Sequence, residues 1–400
     1  MIQLADKQSC TGCCACSNIC PKQAISMVGD EEGFRQPSIN LDKCIECKLC
    51  MKTCPQIQSE FKLNKKPDKC YALYSYKYQR NGSSGGAFSA IADAVLEQGG
   101  VVFGAAFDKD LKLRHIGVER KEDMQPLRGS KYVQSYIGDS FKDVRKFLRA
   151  GRLVLFSGTP CQIDGLNHFL SNRKYENLIT VDVTCHGVPS QKAFDRWIND
   201  IQVHNGKVTA FNFRKLDGWS IVPRAKLSNG KFIPLRYGLE VYMWAFYEGF
   251  LFRNCCYHCP YASVNRPADI TLADFWGVGN YGVKFKPDQT HGISLVLANN
   301  EKGQKVISSL KDVYLEPRQL SEALNEQHNL KAPSSRPEGR DNSALDFVSD
   351  MSMIDFGSKY HLLPENKIKY LISARMKDYM IDHGIFDVLK NMTNKIKAKL

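Results

Sequence analysis

"GRLVLFSGTPCQIDGLNHFL", residues 151–170, holds a strand, a tight turn and the start of a helix. Leu153 to Phe156 is an unbroken apolar run, Gly158 and Pro160 supply the turn, and the helix opens near Cys161. A second unit of the same design follows. In "NLITVDVTCHGVPSQKAFDRWI", residues 177–198, a strand over Ile179–Val183 runs into a turn carrying Cys185, His186 and Gly187, and a helix starts after Pro189. Strands separated by helices predict an α/β body with a largely parallel sheet. In such sheets ligands gather at the carboxyl ends of the strands, where Cys161 and Cys185 both fall.

Downstream, "CYHCPYASVNRPADITLADFWG", residues 256–277, adds the pair Cys256 and Cys259 and a further core strand. Cys161, Cys185, Cys256 and Cys259 together would make a closed thiolate cage drawn from three segments. Spacing alone leaves a 4Fe–4S cluster, a zinc ion and free thiols all open. Upstream, "NGSSGGAFSAIADAVLEQGGVVFGAAF", residues 81–107, reads as a Gly-rich turn, a helix with Phe88, Ile91, Ala92, Val95 and Leu96 on one face, and a buried strand from Val101 to Phe107. A helix opened by Ser83, Ser84, Gly85 and Gly86 offers free N–H groups suited to a phosphate, or is simply a packed cap. "LRGSKYVQS", residues 127–135, places Arg128, Ser130 and Lys131 in a short polar loop.

The amino-terminal sixty residues are of another kind. Cys10, Cys13, Cys16 and Cys20, then Pro21, repeat as Cys44, Cys47, Cys50 and Cys54, then Pro55. Both runs are C-x2-C-x2-C-x3-C-P, the pattern of a dicluster ferredoxin. Three close thiolates wrap one face of a cubane and the fourth reaches the other cluster. Cys10, Cys13, Cys16 and Cys54 are therefore expected to hold one cluster, and Cys44, Cys47, Cys50 and Cys20 the second. Zinc sites use separated pairs, not four cysteines in one short run. Cys14 is out of register and reads as a spectator. The segment between the runs reads as a hairpin around Gly29 and Gly33.

The chain thus divides into a ferredoxin-like α+β dicluster module (1–60), a Lys-rich linker (61–70), the first part of the α/β body (71–150), its second part with the third cage (151–333) and a mainly helical tail (334–400). In the tail Ile385, Leu389, Met392, Ile396 and Leu400 share one helical face. The plainer reading is a terminal helix packed on the body; a peripheral membrane contact is the alternative. Fifteen cysteines without an apolar leader or an 18-residue apolar stretch suggest metal ligation in the cytoplasm, not disulfides. The formal charge of +13 falls to roughly +7 once three clusters at about −2 each are counted. No basic stripe interleaved with aromatics speaks for nucleic acid.

These motifs together resemble the coenzyme F420 hydrogenase/dehydrogenase beta subunits over roughly residues 1–330. The resemblance implies an iron–sulfur flavoprotein that binds FAD, with Cys161, Cys185, Cys256 and Cys259 on a third 4Fe–4S cluster. It implies flavin contacts at Ser83–Gly86 and Arg128–Lys131. Cys255 is an adjacent substitute for Cys256. The function implied is an oxidoreductase passing electrons between a ferredoxin-type protein and a two-electron carrier, F420 among the candidates. The alternative is an electron-wiring subunit of a larger complex with no substrate of its own. Within the first reading, Lys131 is expected to offset charge on the reduced flavin and His186 to carry the accompanying proton.

Overall fold

The computed structural model describes residues 2–57, 63–64, 66–67, 69–214, 222–281 and 283–382. The cysteine-rich segment forms two short helices and a hairpin: α1 (Ala15–Ile19), β1 (Ile25–Gly29), β2 (Arg35–Ile39) and α2 (Leu49–Thr53). β1 and β2 pair antiparallel, Ile25 opposite Ile39 and Gly29 opposite Arg35, as the hairpin reading expected. Asp30 closes the turn, its Oδ1 accepting from the N–H groups of Glu32 and Phe34 at 3.1 and 2.8 Å. Each helix is entered through a left-handed residue, Cys14 (φ 63°) and Lys48 (φ 59°), which folds the cysteine run back on itself.

The body begins with β3 (Lys69–Ser75), α3 (Ala87–Glu97), β4 (Val101–Phe107), β5 (Leu113–Val118) and α4 (Ser140–Arg149). The two quoted units follow as β6 (Val154–Gly158), α5 (Pro160–Phe169), β7 (Leu178–Val183) and α6 (Gln191–Asn205). A small antiparallel sheet, β8 (Val208–Asn212), β9 (Arg224–Leu227) and β10 (Phe232–Pro234), leads to α7 (Val241–Tyr247). Then come β11 (Ile270–Asp274), β12 (Ser294–Ala298), α8 (Glu301–Ser308), β13 (Val313–Arg318) and α9 (Leu320–Leu324). The tail contributes α10 (Arg340–Phe347), α11 (Met353–Lys359) and α12 (Lys367–Asp382). The face running from Ile385 to Leu400 lies outside the described residues.

The main sheet has eight strands in the order β13-β3-β12-β11-β7-β6-β4-β5. Its centre is parallel, with β11, β7, β6 and β4 running together. Its flanks are antiparallel: β5 on one side, β12, β3 and β13 on the other. The parallel centre comes from the two strand–helix units, because parallel neighbours need a crossover and helices supply it. Ile91, Ala92 and Val95 of α3 pack on one face with Val102 and Leu155. Phe141 and Val144 of α4 and Ile163 and Leu166 of α5 cover the other, with Phe103 and Phe156. Cys13, Cys14, Ala15 and Met27 belong to that second cluster, so the dicluster module is built into the core of the body. Among the described residues, no helix is long and apolar enough to cross a membrane.

Candidate redox site

The cysteines fall into the groups their spacing anticipates. One void is lined by Cys10, Cys13, Cys16 and Cys54, and a second by Cys20, Cys44, Cys47 and Cys50. The fourth cysteine of each run has crossed to the other cage. In each cage the thiols ring a void and do not converge on a point. Among the described residues, no three His, Cys, Asp or Glu side chains are close enough to ligate one ion. Cys14 is buried against the rim of the first cage, its thiol donating to the Gly12 carbonyl at 3.4 Å.

The third group is assembled from afar. Cys161 sits in the first turn of α5, Cys185 just beyond β7, and Cys256 and Cys259 in and after a 3₁₀ turn over Asn254–His258. Burial pushes the Cys161 thiol well above its usual range, and the thiols of Cys185, Cys259 and Cys256 add to the effect. Cys185 is pushed up to about 12 and Cys259 to about 11, burial first and neighbouring thiols next. Cys256 is also pushed well up, chiefly by the hydrogen bond its thiol makes to Cys255, followed by burial. Without a metal such buried thiols keep their protons, which a bound metal would displace. Arg266, fully buried, lowers the thiols of both Cys185 and Cys259 while pairing with Asp182 at 3.1 Å.

A seam joins the first cage to the third. A Cβ on Gly165, one turn into α5 from Cys161, would lie 2.9 Å from the Cys13 sulfur, so only glycine fits there. Tyr261, two residues past Cys259, donates its hydroxyl to Asp164 Oδ2 at 2.6 Å. Gln56, two past Cys54, donates to the Tyr261 oxygen at 3.3 Å. The second cage lies on the outer side of the module, where Cys47 is exposed.

Beyond the third cage a cavity of about 330 Å³ spans the carboxyl ends of β6, β7 and β11. That is the place the α/β reading gave for a ligand, and the volume is that of a small-molecule site. Ser83, Ser84, Gly86, Ser130, Lys131, Cys185 and His186 all line it. Gly86 (φ 83°) caps α3 without a side-chain hydrogen bond, and Gly86, Ala87, Phe88 and Ser89 of that first turn line the cavity. The two expected loops meet, with the Ser130 N–H donating to Ser83 Oγ at 2.9 Å. Gly85 stands behind the wall, where a Cβ would come within 2.2 Å of the Leu73 carbonyl. Arg128 turns away, stacking on Tyr78 at 5.1 Å and donating to Ser89 Oγ at 3.2 Å.

Lys131 Nζ donates to the carbonyls of Arg128 and Gly129 at 2.9 and 3.2 Å, and burial lowers its pKa to about 7. No carboxylate partners it in these hydrogen bonds, so the amine is available to an anionic ligand. His186 lies on the wall near Phe246, with its pKa lowered by burial. Sequence reasoning missed a second histidine. His115 of β5 lines the cavity with Nε2 2.9 Å from the Ser157 carbonyl and Nδ1 2.9 Å from Ser135 Oγ. The carbonyl can only accept, so Nε2 carries the proton and Ser135 donates to Nδ1. Burial lowers this histidine to about 4, and it stays neutral near pH 7. Gln162 fixes the arrangement, donating to Ser135 and accepting from the Thr159 N–H at 3.0 Å. The Thr159–Gln162 spacing is a capping box and was readable as one.

Comparison with known proteins follows the same division. Residues 151–323 match the family described as the carboxyl-terminal part of the coenzyme F420 hydrogenase/dehydrogenase beta chain, and residues 9–57 match the 4Fe–4S dicluster domain. One of the subunits of the F(420)H(2) dehydrogenase of Methanosarcina mazei is 22% identical over 316 residues, 76% of this chain and 82% of that protein. An uncharacterised ferredoxin of Methanocaldococcus jannaschii is 33% identical over 52 residues, 13% of this chain and 66% of that protein. A chain of the xenon-derivatised F420-reducing NiFe hydrogenase complex of Methanosarcina barkeri is 18% identical with a TM-score of 0.44, covering 74% of this chain and 91% of that one.

Proposed function

We propose, for an iron–sulfur electron-transfer chain of oxidoreductase type related to the coenzyme F420 hydrogenase/dehydrogenase beta subunits, that it is a flavoprotein enzyme. It moves electrons between a one-electron protein partner and a two-electron carrier, in either direction. The observation that carries this reading is the continuity of the site. The exposed second cage adjoins the first, the first meets the third across Gly165 and Tyr261, and Cys185 of the third cage also lines the cavity.

The residues present fit both kinds of group. Each module cage offers four cysteine thiols around a void, and at the third site the thiols of Cys185, Cys259 and Cys256 raise that of Cys161. For a nucleotide cofactor the cavity offers an open helix N-terminus, hydroxyls at Ser83 and Ser130, and the Lys131 amine, which donates to the backbone carbonyls of Arg128 and Gly129. FAD, when bound, supplies the exchange between single electrons and a hydride. Lys131 supplies a charge that an anionic ring or phosphate would stabilise. His115 donates only to Ser157, so it holds the wall in shape and does not shuttle protons. His186, on the same wall, would carry the accompanying proton. F420 is one candidate carrier, as the names of the family and of the Methanosarcina mazei relative suggest.

The wiring reading has its own support, because that relative is named as one part of a multi-chain dehydrogenase. A cavity of about 330 Å³ is more than wiring needs. Iron, zinc and flavin content of protein purified without oxygen separates the two. About twelve irons, four per cluster, with one FAD per chain is the expected result. About eight irons with one zinc, or no flavin, would overturn the enzyme reading.

A further inference from the structure

The segment that follows the matched family region is anchored at both ends of the electron route. Gln327 lines the cavity and donates to the Asp274 carbonyl at 2.6 Å. Asn329 donates to Ser334 Oγ at 3.1 Å, and Ser334 donates in turn to the His186 carbonyl at 2.6 Å. Six residues later, at the start of α10, Arg340 is fully buried. Its Nη1 and Nη2 grip the two oxygens of Glu32 at 2.8 and 2.7 Å. Nη2 also donates to the Phe252 carbonyl, and Nε to the Tyr257 hydroxyl at 3.1 Å. Glu32 stands in the β1–β2 turn of the dicluster module; Tyr257 adjoins the cage ligand Cys256.

We propose that residues 327–340 are a strap that seats the dicluster module on the body, and that Arg340 is the positioning residue for electron passage between the first and third cages. The proposal rests on the functional reading above. A two-pronged guanidinium on a carboxylate fixes angle as well as distance, which a lysine in its place could not do. The strap does not work alone. Arg253 donates to the Cys10 carbonyl at 2.6 Å and to the Arg35 carbonyl at 3.0 Å, and Ser190 Oγ donates to the Glu32 carbonyl at 2.5 Å. Those contacts come from the body itself. Arg340 is the strap's own hold on the module, and it closes on the side facing the third cage. Electron passage falls steeply with distance, so a small tilt of the module at Glu32 would open the Gly165–Cys13 contact and slow transfer without emptying a cage.

The experiment uses the full-length holoprotein with Arg340→Gln, Arg340→Lys and the double variant Glu32→Gln/Arg340→Gln. The double variant removes the ion pair without leaving a lone buried charge. Iron and flavin content, the magnetic interaction between the first and third clusters, and the stopped-flow rate of third-cluster reduction after fast reduction of the module are read together. Arg340→Gln should keep its cofactors, weaken the magnetic interaction and slow inter-cluster transfer by about 10-fold or more, with Arg340→Lys restoring little. If Arg340→Gln fails to fold, the double variant decides. Wild-type transfer and coupling in whichever variant retains its clusters overturn the strap. A wild-type protein whose third cluster is never reduced through the module instead refutes the functional reading, a result distinct from any variant effect.

Discussion

The outer cages and the inner cage hold the same number of thiols, yet the chain encodes them in opposite ways. Cys10 to Cys20 and Cys44 to Cys54 are short runs whose own turns, entered at Cys14 and Lys48, bring three sulfurs of each cage round, the fourth crossing from the other run. The inner cage exists only because β6, β7 and β11 lie side by side in one sheet, so that Cys161, Cys185 and the Cys256–Cys259 pair arrive together. A locally written site depends on turn geometry. A site written across the fold depends on the whole core beneath it.

That contrast can be broken most sharply by removing one inner ligand. Cys161→Ala should drop iron from about twelve to about eight per chain, leave both module clusters visible by EPR, and stop delivery of electrons to the cavity. Loss of all the iron would show that the module depends on the inner cage and the contrast is false. The next probe leaves every ligand in place. Leu155→Ala in β6, fully buried between α3 and the sheet, should cost about 2–5 kcal/mol. Under rising denaturant the third cluster's spectrum should bleach first, with the module's signals outlasting it. Simultaneous loss would mean that Cys13 and Cys14, packed in the α4/α5 core, tie the module to the fate of the body.

The smallest effect concerns the cavity amine. Lys131 has a folded pKa of about 7, below its ordinary 10.5. Between those values the unfolded chain binds more protons, so this group makes stability rise with pH across that window. Its penalty is full below about pH 7. In flavin-free protein, chemical denaturation from about pH 7.5 to about pH 9.5 should show a slope of at most about 1.4 kcal/mol per pH unit, absent in Lys131→Met. An anionic ligand in the cavity should flatten the slope, because it favours the charged amine in the fold. An unchanged slope in Lys131→Met would assign the effect elsewhere.

The same contrast explains what could be read beforehand. Both module cages, with their crossed fourth cysteines, follow from spacing alone. The parallel centre of the sheet followed from two strand–helix repeats, whereas the antiparallel flanks had no such repeat to announce them. The four inner cysteines could be named because each stands at a strand end or in a Cys-x-x-Cys pair. His115, Ser135 and Arg266 gave no comparable signal. Each is one polar residue in a long chain, and its role appears only when distant strands bring Ser157, Gln162 or Cys185 beside it. Glu32 and Arg340 are the extreme case, an ion pair separated by 308 positions. Gly85 and Arg128 show the converse: they were picked out by motif, and the fold uses them to back the cavity wall and to pack on Tyr78.

The exposure of Cys47 has one more consequence. On the proposed function, the cage whose Cys47 is exposed is best placed to trade electrons with an outside protein and is also the first that dioxygen reaches, while Cys13 is buried and Cys161, Cys185, Cys256 and Cys259 are half-buried. Oxidative damage should therefore begin at the rim and disconnect the chain from its supply while the interior is still intact. On the proposed function the outer cage would then act as a fuse, and repairing it alone would restore the circuit.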